Sequence, residues 1–308
     1  MAIDRVLSQL KAFREEDEAR WRYEAEQVKR QNQIFAKFGR TDEEMKSVME
    51  EGGINVHAFE KESAETVKRL KKAHKELLNI DPPPVRSFPQ TQAELNFIST
   101  FGAENYWTNR RCDWFYPPVQ DARGSNSERC GFNIDLGEIN IAGSSTGDGL
   151  GWAARAYSWQ YCTLWYVFFP PVAGDITVEP HVDFQGNVAI SAHDHLYTST
   201  HAELKVELRY DLYQHYWDGE QIATIIDEDR SDSSTAYWVD HHRVMSKSLS
   251  VSAHDPVYIK LTVAYFVKAH SSHATVEYNF REGASRRIRL ERIKICRPVP
   301  LRVFLPSR

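Results

Sequence analysis

The spacing of hydrophobic residues changes once along the chain, at the proline run 81–84. Before this run, apolar residues recur every three or four positions, as they do along one face of a helix. After it they recur at every second position, which is typical of β-strands. We therefore expect an α+β protein with a helical arm at residues 1–80, a proline-rich linker at 81–95 and an antiparallel β-sandwich at 96–308.

The arm is predicted to form a long, coiled-coil-like helical hairpin. A glycine at position 39 ends the first helix, and a second apolar stripe from about 55 to 78 predicts its partner. The first stripe is thin and surrounded by charge, so we expect it to contact the β domain or another copy of the chain. Its members are Val6, Leu10, Phe13, Trp21, Val28, Phe35 and Phe38.

Two segments show the strand pattern most clearly. In 202–212 the apolar side chains alternate with charged ones, and 257–267 repeats the pattern. A phase slip at Glu291-Arg292 is typical of a β-bulge, and Gln185-Gly186-Asn187 is predicted to be a turn. Further strands are expected at 132–141, 160–169, 176–184, 187–191, 221–226, 235–239, 244–251, 274–280 and 288–295. Eight to ten long strands without intervening helices favour a jelly-roll-like or Greek-key sandwich.

The charge of the chain is unevenly distributed. Of 308 residues, 42% are hydrophobic and 12% aromatic, and the formal net charge is −5. Residues 1–80 hold 16 basic and 16 acidic side chains, 81–280 hold 13 and 25, and 281–308 hold nine and two. We expect the arginines of the last segment to pair with acids on a neighbouring strand. Head-to-tail association, nucleic acid or anionic lipid are the alternatives for this segment. Nucleic acid is not an expected partner of the protein.

The beginning of the chain does not resemble a signal peptide, and no apolar run is long enough to span a bilayer. The four cysteines lack Cys-x-x-Cys spacing, so we expect them to be reduced and buried. These features predict a protein that is cytoplasmic, or exported without a cleavable signal peptide.

One histidine pair has the spacing of a metal site. On a strand, His193 and His195 would face the same side, with His201 and Glu203 nearby in sequence. Cupin-type enzymes place a His-x-His pair on a strand in this way. However, no glutamate follows at the expected distance, so solvated loop histidines are the alternative.

A group of aromatic residues near predicted turns is the candidate for ligand binding. Flat rings on a sheet or loop stack against the apolar faces of sugars, and they also fill oligomer interfaces. The residues concerned are Tyr213, Tyr216, Trp217, Tyr237 and Trp238.

No catalytic residue and no cofactor is expected. The chain has no Gly-x-Ser-x-Gly elbow and no phosphate-binding Gly-Lys-Ser/Thr, and the glycine-rich segment 143–151 is interpreted as a loop. Three hypotheses follow. The first, which we favour at this point, is a non-enzymatic protein that forms a homo-oligomer or docks a protein partner through residues 1–80. The second is a glycan- or receptor-binding sandwich of a toxin or injection apparatus, and the third is a cupin-like metal-dependent enzyme.

Overall fold

The computed structural model describes residues 2–38, 42–61, 64–65, 68–69, 72, 112–115, 119–124, 130–147, 155–193, 200–271, 273–281 and 286–297. Within these ranges there are two named helices and thirteen strands. The helices are α1 (Ala2–Phe38) and α2 (Asp42–Glu51). The strands are β1 (Cys112–Phe115), β2 (Val119–Gly124), β3 (Cys130–Asn133), β4 (Glu138–Thr146), β5 (Arg155–Phe168), β6 (Gly174–Ala192), β7 (His201–Tyr213), β8 (Gln221–Arg230), β9 (Ser233–Val244), β10 (Lys247–Val251), β11 (Val257–His270), β12 (Ala274–Asn279) and β13 (Arg287–Cys296).

The strands form two antiparallel sheets. Sheet A has eight strands in the order β1-β13-β4-β12-β6-β10, with β3 added on β4 and β9 on β6, and β13 also pairs with β6. Sheet B has five strands in the order β2-β5-β11-β7-β8. The expected antiparallel β-sandwich is thereby confirmed. None of the helices described here is both long and apolar enough to cross a membrane.

The core lies between the two sheets and follows the predicted alternation. On β7, Leu204 and the apolar residues at every second position after it are buried, whereas Glu203 and Lys205 lie on the outer face. On β11, Ile259, Leu261 and the residues that continue their alternation enter the same core. Side chains alternate between the two faces of a strand, so the opposite face of sheet B is left for a different partner.

Helix α1 covers that outer face of sheet B. Val6, Leu10 and Phe13 are buried together with Trp165 of β5 and Tyr258 of β11. The first part of the apolar stripe therefore packs on the same chain. The structure has one long helix followed by the ten-residue α2, so the expected hairpin is not confirmed. The linker 81–95 lies outside the described residues. Within the expected second helix, 55–78, the described residues 56–61, 64–65, 68–69 and 72 are helical.

The predicted turn at 185–187 is wrong, because β6 runs without interruption through these positions. A Cβ atom at Gly186 would lie 2.5 Å from the carbonyl oxygen of Asn279 and 2.5 Å from a ring carbon of Phe280. The glycine therefore allows a close approach in the middle of a strand, which is the other common meaning of glycine in a strand pattern.

Two other local predictions have opposite outcomes. The strand expected at 132–141 is instead a hairpin, in which β3 pairs with β4 around a turn at 134–137. The bulge is confirmed, since the register of β13 against β6 shifts between Leu290 and Arg292.

The expectation that all four cysteines are reduced is wrong. Cys112 lies directly opposite Cys296 in the β1–β13 pair, and the two form a disulfide. Cys130 of sheet A and Cys162 of sheet B form the second disulfide, so this bond joins the two sheets across the core. The pairs are 184 and 32 residues apart in sequence, and strand pairing rather than local spacing brings them together.

Two of the basic residues of β13 pair with acids on neighbouring strands, as expected for this segment. Lys294 contacts Glu179 of β6 at 2.7 Å, and Arg287 contacts Glu138 of β4 at 3.7 Å.

Replacing Phe13 with alanine should detach the first half of α1 from sheet B. The variant loses a buried ring, and such changes cost about 3–5 kcal/mol when the surroundings do not collapse. Limited proteolysis should show faster cleavage within 2–38, and thermal unfolding should start earlier. The control is Leu7→Ala on the same helix, because Leu7 is 56% exposed and should change neither measurement.

Removing the Cys112–Cys296 disulfide, which joins two strands far apart in sequence, should strongly destabilise the sandwich. A crosslink between residues 184 positions apart stabilises the folded state by about 5 kcal/mol in the chain-entropy model. We expect the double variant Cys112→Ser, Cys296→Ser to melt well below the wild type. Thiol titration of the denatured, unreduced wild type should detect no free thiol, and four free thiols would contradict both disulfides.

Candidate functional site

A cleft of about 520 Å³ lies between helix α1 and the outer face of sheet B. It is open to solvent and combines aromatic rings with charged and amide side chains. Pockets of this size and mixed lining are typical of small-ligand sites. Its lining residues are Glu18, Trp21, Arg22, Ala25 and Val28 of α1, Arg123 and Gly124 of β2, and Ser158, Trp159, Gln160 and Tyr161 of β5.

Three aromatic rings form the apolar part of the cleft. Trp21 of α1 stacks on Tyr161 of β5, with ring centroids 5.8 Å apart and planes 9° from parallel. Trp159 meets Tyr161 edge-on at 5.7 Å. Tyr161 is buried beneath the other two, whereas both indole rings are partly exposed. The two tryptophans therefore present ring surface to a ligand from opposite walls.

A carboxylate on α1 holds the rings of β5 in place. Glu24 accepts a hydrogen bond of 3.0 Å from the indole nitrogen of Trp159 and another from the hydroxyl of Tyr161. Arg20, one helical turn earlier, contacts Glu24 at 3.3 Å and Glu220 at 3.4 Å. These contacts fix the distance between α1 and sheet B next to the cleft.

A buried guanidinium lies behind the same rings. The central carbon of Arg209 is 5.4 Å from the ring centroids of both Trp159 and Tyr161, which is within cation–π range. Arg209 also pairs with Glu207 at 2.9 Å. Burial by itself would raise the pKa of Glu207, but hydrogen bonds from Lys205 and Arg209 hold it below its ordinary value. The carboxylate is therefore charged at neutral pH and fixes the guanidinium.

The rim of the cleft carries charge. Arg22 pairs with Glu18 within α1 at 3.5 Å, and both side chains line the cleft. Arg123 lies on the opposite wall on β2 and is exposed. Two guanidinium groups and one carboxylate therefore surround the aromatic surface, so hydrogen-bond donors outnumber acceptors.

The cleft exists because α1 is fixed to sheet B nearer its N-terminus. Phe13 lies among four rings, with centroid distances of 5.1 Å to Trp165, 4.8 Å to Tyr213, 4.8 Å to Trp217 and 5.3 Å to Tyr258. The contact with Trp165 is stacked, and the one with Tyr258 is edge-on. We call these five residues the aromatic box.

An ion pair lies next to the aromatic box. The ammonium group of Lys260 donates to the carboxylate of Asp17 and lies 5.2 Å from the ring centroid of Trp165. The side chains of Lys260 and Asp17 are only 13% and 8% exposed. Burial raises the pKa of Asp17, and the charge of Lys260 offsets that only in part. Each charge is therefore strongly dependent on its partner.

The aromatic residues predicted to bind a ligand are distributed over two places. Tyr213 and Trp217 belong to the aromatic box and contact Phe13, so they hold α1 rather than line the cleft. Tyr216 is close to them in sequence and is 56% exposed.

The other two predicted aromatics lie on β9. Tyr237 packs against the core and donates a hydrogen bond of 3.1 Å to Glu228, and burial together with this carboxylate raises its pKa. Trp238 is partly buried, with Arg286 5.9 Å from its ring centroid. Among the described contacts, neither residue meets the aromatic box or the cleft.

The histidines predicted to bind a metal have other described partners. A ring nitrogen of His193 lies 2.9 Å from the hydroxyl of Ser234. His201 contacts Asp229 at 3.1 Å and Glu203 at 3.8 Å. His195 lies outside the described residues, so a metal site of these three histidines stays a prediction.

The sequence interpretation missed the two indole rings of the cleft. Trp21 was part of the apolar stripe of the arm, and Trp159 precedes the strand expected from 160 onwards. The missed signal is the length of β5, since Trp159, Tyr161 and Trp165 continue one alternation on the outer face.

Comparisons with known proteins find no match among protein-family models and none among curated proteins. Among solved structures, the chain is similar to TmCBM61 in complex with β-1,4-galactotriose, with a TM-score of 0.21 and 12% identity over 54% of this chain and 92% of that one. A structure described as CBM4 has a TM-score of 0.18 and 12% identity over 56% and 90%. A 4-O-methyl-α-glucuronidase with specificity for decorated arabinogalactans has a TM-score of 0.23 and 9% identity over 56% of this chain, which spans 18% of that enzyme. TM-scores this low carry no argument about function.

Replacing Asp17 with alanine should undock α1, because it leaves the charge of Lys260 buried and unpaired. Removing one partner of a buried ion pair costs about 3–5 kcal/mol. Proteolysis within 2–38 should accelerate, as is also expected for Phe13→Ala. The matched control is Glu16→Ala, whose side chain is exposed on the same helical turn and which should behave like the wild type. Equal protection of Asp17→Ala and the wild type would contradict the described packing.

Proposed function

We propose that the protein is a non-enzymatic binding module that takes a short oligosaccharide in the cleft between α1 and sheet B. The observation that carries this proposal is the pair of partly exposed indole rings, Trp21 and Trp159, on opposite walls of a cleft with charged and amide groups at its rim. This function corresponds to the second hypothesis of the sequence analysis, with a different set of residues.

The chemistry of the cleft suits a sugar. A pyranose has flat C–H faces that pack on aromatic rings and a perimeter of hydroxyl groups that need hydrogen-bond partners. The rings of Trp21 and Trp159 provide apolar surface for the C–H faces, and the guanidinium groups of Arg22 and Arg123 provide hydrogen-bond donors for the hydroxyl groups. The volume of about 520 Å³ accommodates one to a few sugar units.

The lining favours binding over hydrolysis. Glycoside hydrolysis commonly requires two carboxyl groups on either side of the scissile bond. Glu18 is the one carboxylate among the described residues that line the cleft, and it is engaged with Arg22. The two-sheet scaffold, which we assign to the jelly-roll or Greek-key type, is an architecture that lectin domains also use.

The packing of α1 bears on the alternative hypothesis of self-association. Val6, Leu10 and Phe13 belong to the stripe expected to contact a partner, and they are buried against the chain's own sheet. The apolar surface proposed for assembly is therefore already occupied in this part of the arm. Association through the remainder of residues 1–80 stays a prediction.

The disulfides favour one of the two compartments considered. Disulfides persist mainly in oxidising environments, outside the cytosol of most organisms. Two disulfides in one sandwich therefore support an exported protein, and extracellular glycans would be accessible to such a module.

Replacing Trp21 with alanine should weaken glycan binding by about five- to tenfold, because a stacked ring contributes about 1.0–1.4 kcal/mol. The full-length protein is first screened on a glycan array, and the best ligand is then titrated calorimetrically. The control variant is Trp238→Ala, which removes a partly buried tryptophan on sheet A and should leave the affinity unchanged.

A second variant, Arg123→Ala, tests the polar wall without touching α1. We expect a clear loss of affinity and an unchanged melting temperature, because Arg123 is exposed on β2. An array without any bound glycan, or equal affinities of Trp21→Ala and Trp238→Ala, would overturn the proposal.

A further inference from the structure

A cluster of two histidines and two carboxylates lies on the outer face of sheet A, away from the cleft. On β6, Val182 and Phe184 enter the core, so His181 and Asp183 point outward. His242 of β9 lies directly opposite Asp183 in the strand register. Glu291 lies on β13, which pairs with β6 on its other side. Three adjacent strands thus bring these side chains together.

The β-bulge on β13 brings Glu291 into this cluster. Leu290 and Ile293 are both buried in the core, so the two residues between them, Glu291 and Arg292, are both left on the outer side. A regular strand would turn one of the two inward. Bulges recur next to functional sites because they redirect a side chain in this way.

The donor atoms converge on one point. One ligand atom each from Asp183, His242 and Glu291 lies within 4.8 Å of the other two. Ligands held by one transition-metal ion at about 2.0–2.2 Å lie within roughly 4 Å of one another, so small rotamer adjustments complete the site. The Nδ1 atom of His242 contacts the carboxylate of Asp183, and its Nε2 atom lies 3.0 Å from Nδ1 of His181.

His181 lies where it can orient His242 through a hydrogen bond. Metal-bound histidines usually hydrogen-bond through their other ring nitrogen, which fixes the ring and its tautomer. The 3.0 Å contact between the two imidazoles provides that bond for His242. The Nε2 atom of His181 is buried and has no hydrogen-bond partner among the described residues. Its ring is held from the other side by Trp114, at a centroid distance of 4.9 Å.

Among the described ion pairs, none joins Asp183 or Glu291 to an arginine or a lysine. Arg289 lies opposite Asp183 in the register, yet no described ion pair within 4.0 Å joins them. The guanidinium of Arg292 lies 4.1 Å from the ring centroid of Trp114, and Lys294 pairs with Glu179. Burial and the charge of Asp183 raise the pKa of Glu291 to about 7, and burial, with His242 and Arg292, lowers that of His181 to about 4. Two carboxylates this close favour a cation that both can contact, and a protonated His242, a shared proton or a metal ion can supply it.

We propose that Asp183, His242 and Glu291 bind one divalent transition-metal ion of the Zn²⁺ class, with His181 as the residue that positions His242. Imidazole and carboxylate donors together suit such ions, and three protein ligands leave room for water or a ligand atom. This site uses none of the three histidines that the sequence pattern suggested. It lies on the opposite sheet from the proposed glycan cleft, so each proposal can fail without the other.

The experiment is a titration of the full-length, chelator-treated protein with ZnCl₂ by calorimetry and with CoCl₂ by visible absorption. We expect one ion per chain, and cobalt bands that report nitrogen and oxygen ligands. His242→Ala should abolish both signals. Asp183→Asn, which keeps the shape of the side chain, should weaken binding by tenfold or more.

The control variant is His241→Ala, because His241 is the exposed neighbour on β9 that lies opposite the inward-facing Phe184. It should bind Zn²⁺ like the wild type. His181→Ala should weaken binding by about 10–100-fold without abolishing it, as expected of a residue that orients a ligand. The melting temperature of every variant in chelator shows that it is folded. Absence of Zn²⁺ and Co²⁺ binding by the wild type, or equal binding by His242→Ala and His241→Ala, would overturn the proposal.

Discussion

The insertion of Phe13 among the rings of sheet B is the contact on which the rest of this arrangement depends. Sheet B could bury its inner face against sheet A, but its outer face carries Trp165 and Tyr258, which would otherwise be exposed to water. A single helix with a thin stripe is marginal in isolation. Docking α1 on sheet B buries the first part of the apolar stripe of the helix and the outer rings of the sheet at the same time. Four ring contacts to Phe13 concentrate this burial at one point of α1.

The nearby ion pair gives this contact a fixed position along the sheet. Apolar burial is not directional, so rings alone would tolerate some sliding of the helix. Lys260 and Asp17 are both buried, and each needs the other as a partner, so displacement of α1 would expose an unpaired charge to an apolar environment. Glu24, further along α1, also fixes the position of the helix, because it accepts hydrogen bonds from Trp159 and Tyr161 of sheet B. The position of the cleft walls follows from these polar contacts.

The sequence predicted those features that depend on the alternation of side chains. The division of β7 and β11 into inner and outer faces, and the bulge after Leu290, could be derived from the pattern of single segments. The turn predicted at Gly186 was wrong because a glycine in a strand pattern indicates either a turn or a close approach of another residue to the backbone. Only the position of Phe280 in the folded protein distinguishes the two.

The candidate sites could not be predicted in the same way, since they join residues far apart in sequence. His181 and His242 are 61 positions apart, and Trp21 and Tyr161 belong to different kinds of element. Local spacing instead pointed to His193 and His195, which are near each other in the chain. The disulfides show the same limit, because strand register brings the cysteines together and no sequence motif records that register.

A ligand in the cleft would be coupled to the docking of α1. The walls of the cleft come from both α1 and sheet B, so a ligand that touches Trp21 and Trp159 together binds only the docked form. Any substitution that lowers the docked fraction then lowers the apparent affinity in proportion to that fraction, even when it lies outside the cleft. In the opposite direction, a bound ligand stabilises the docked helix according to its concentration relative to its dissociation constant. Phe13 and Asp17 therefore act on binding through the population of the docked state, whereas Arg123 acts on binding alone, because it lies on β2 and does not belong to the helix.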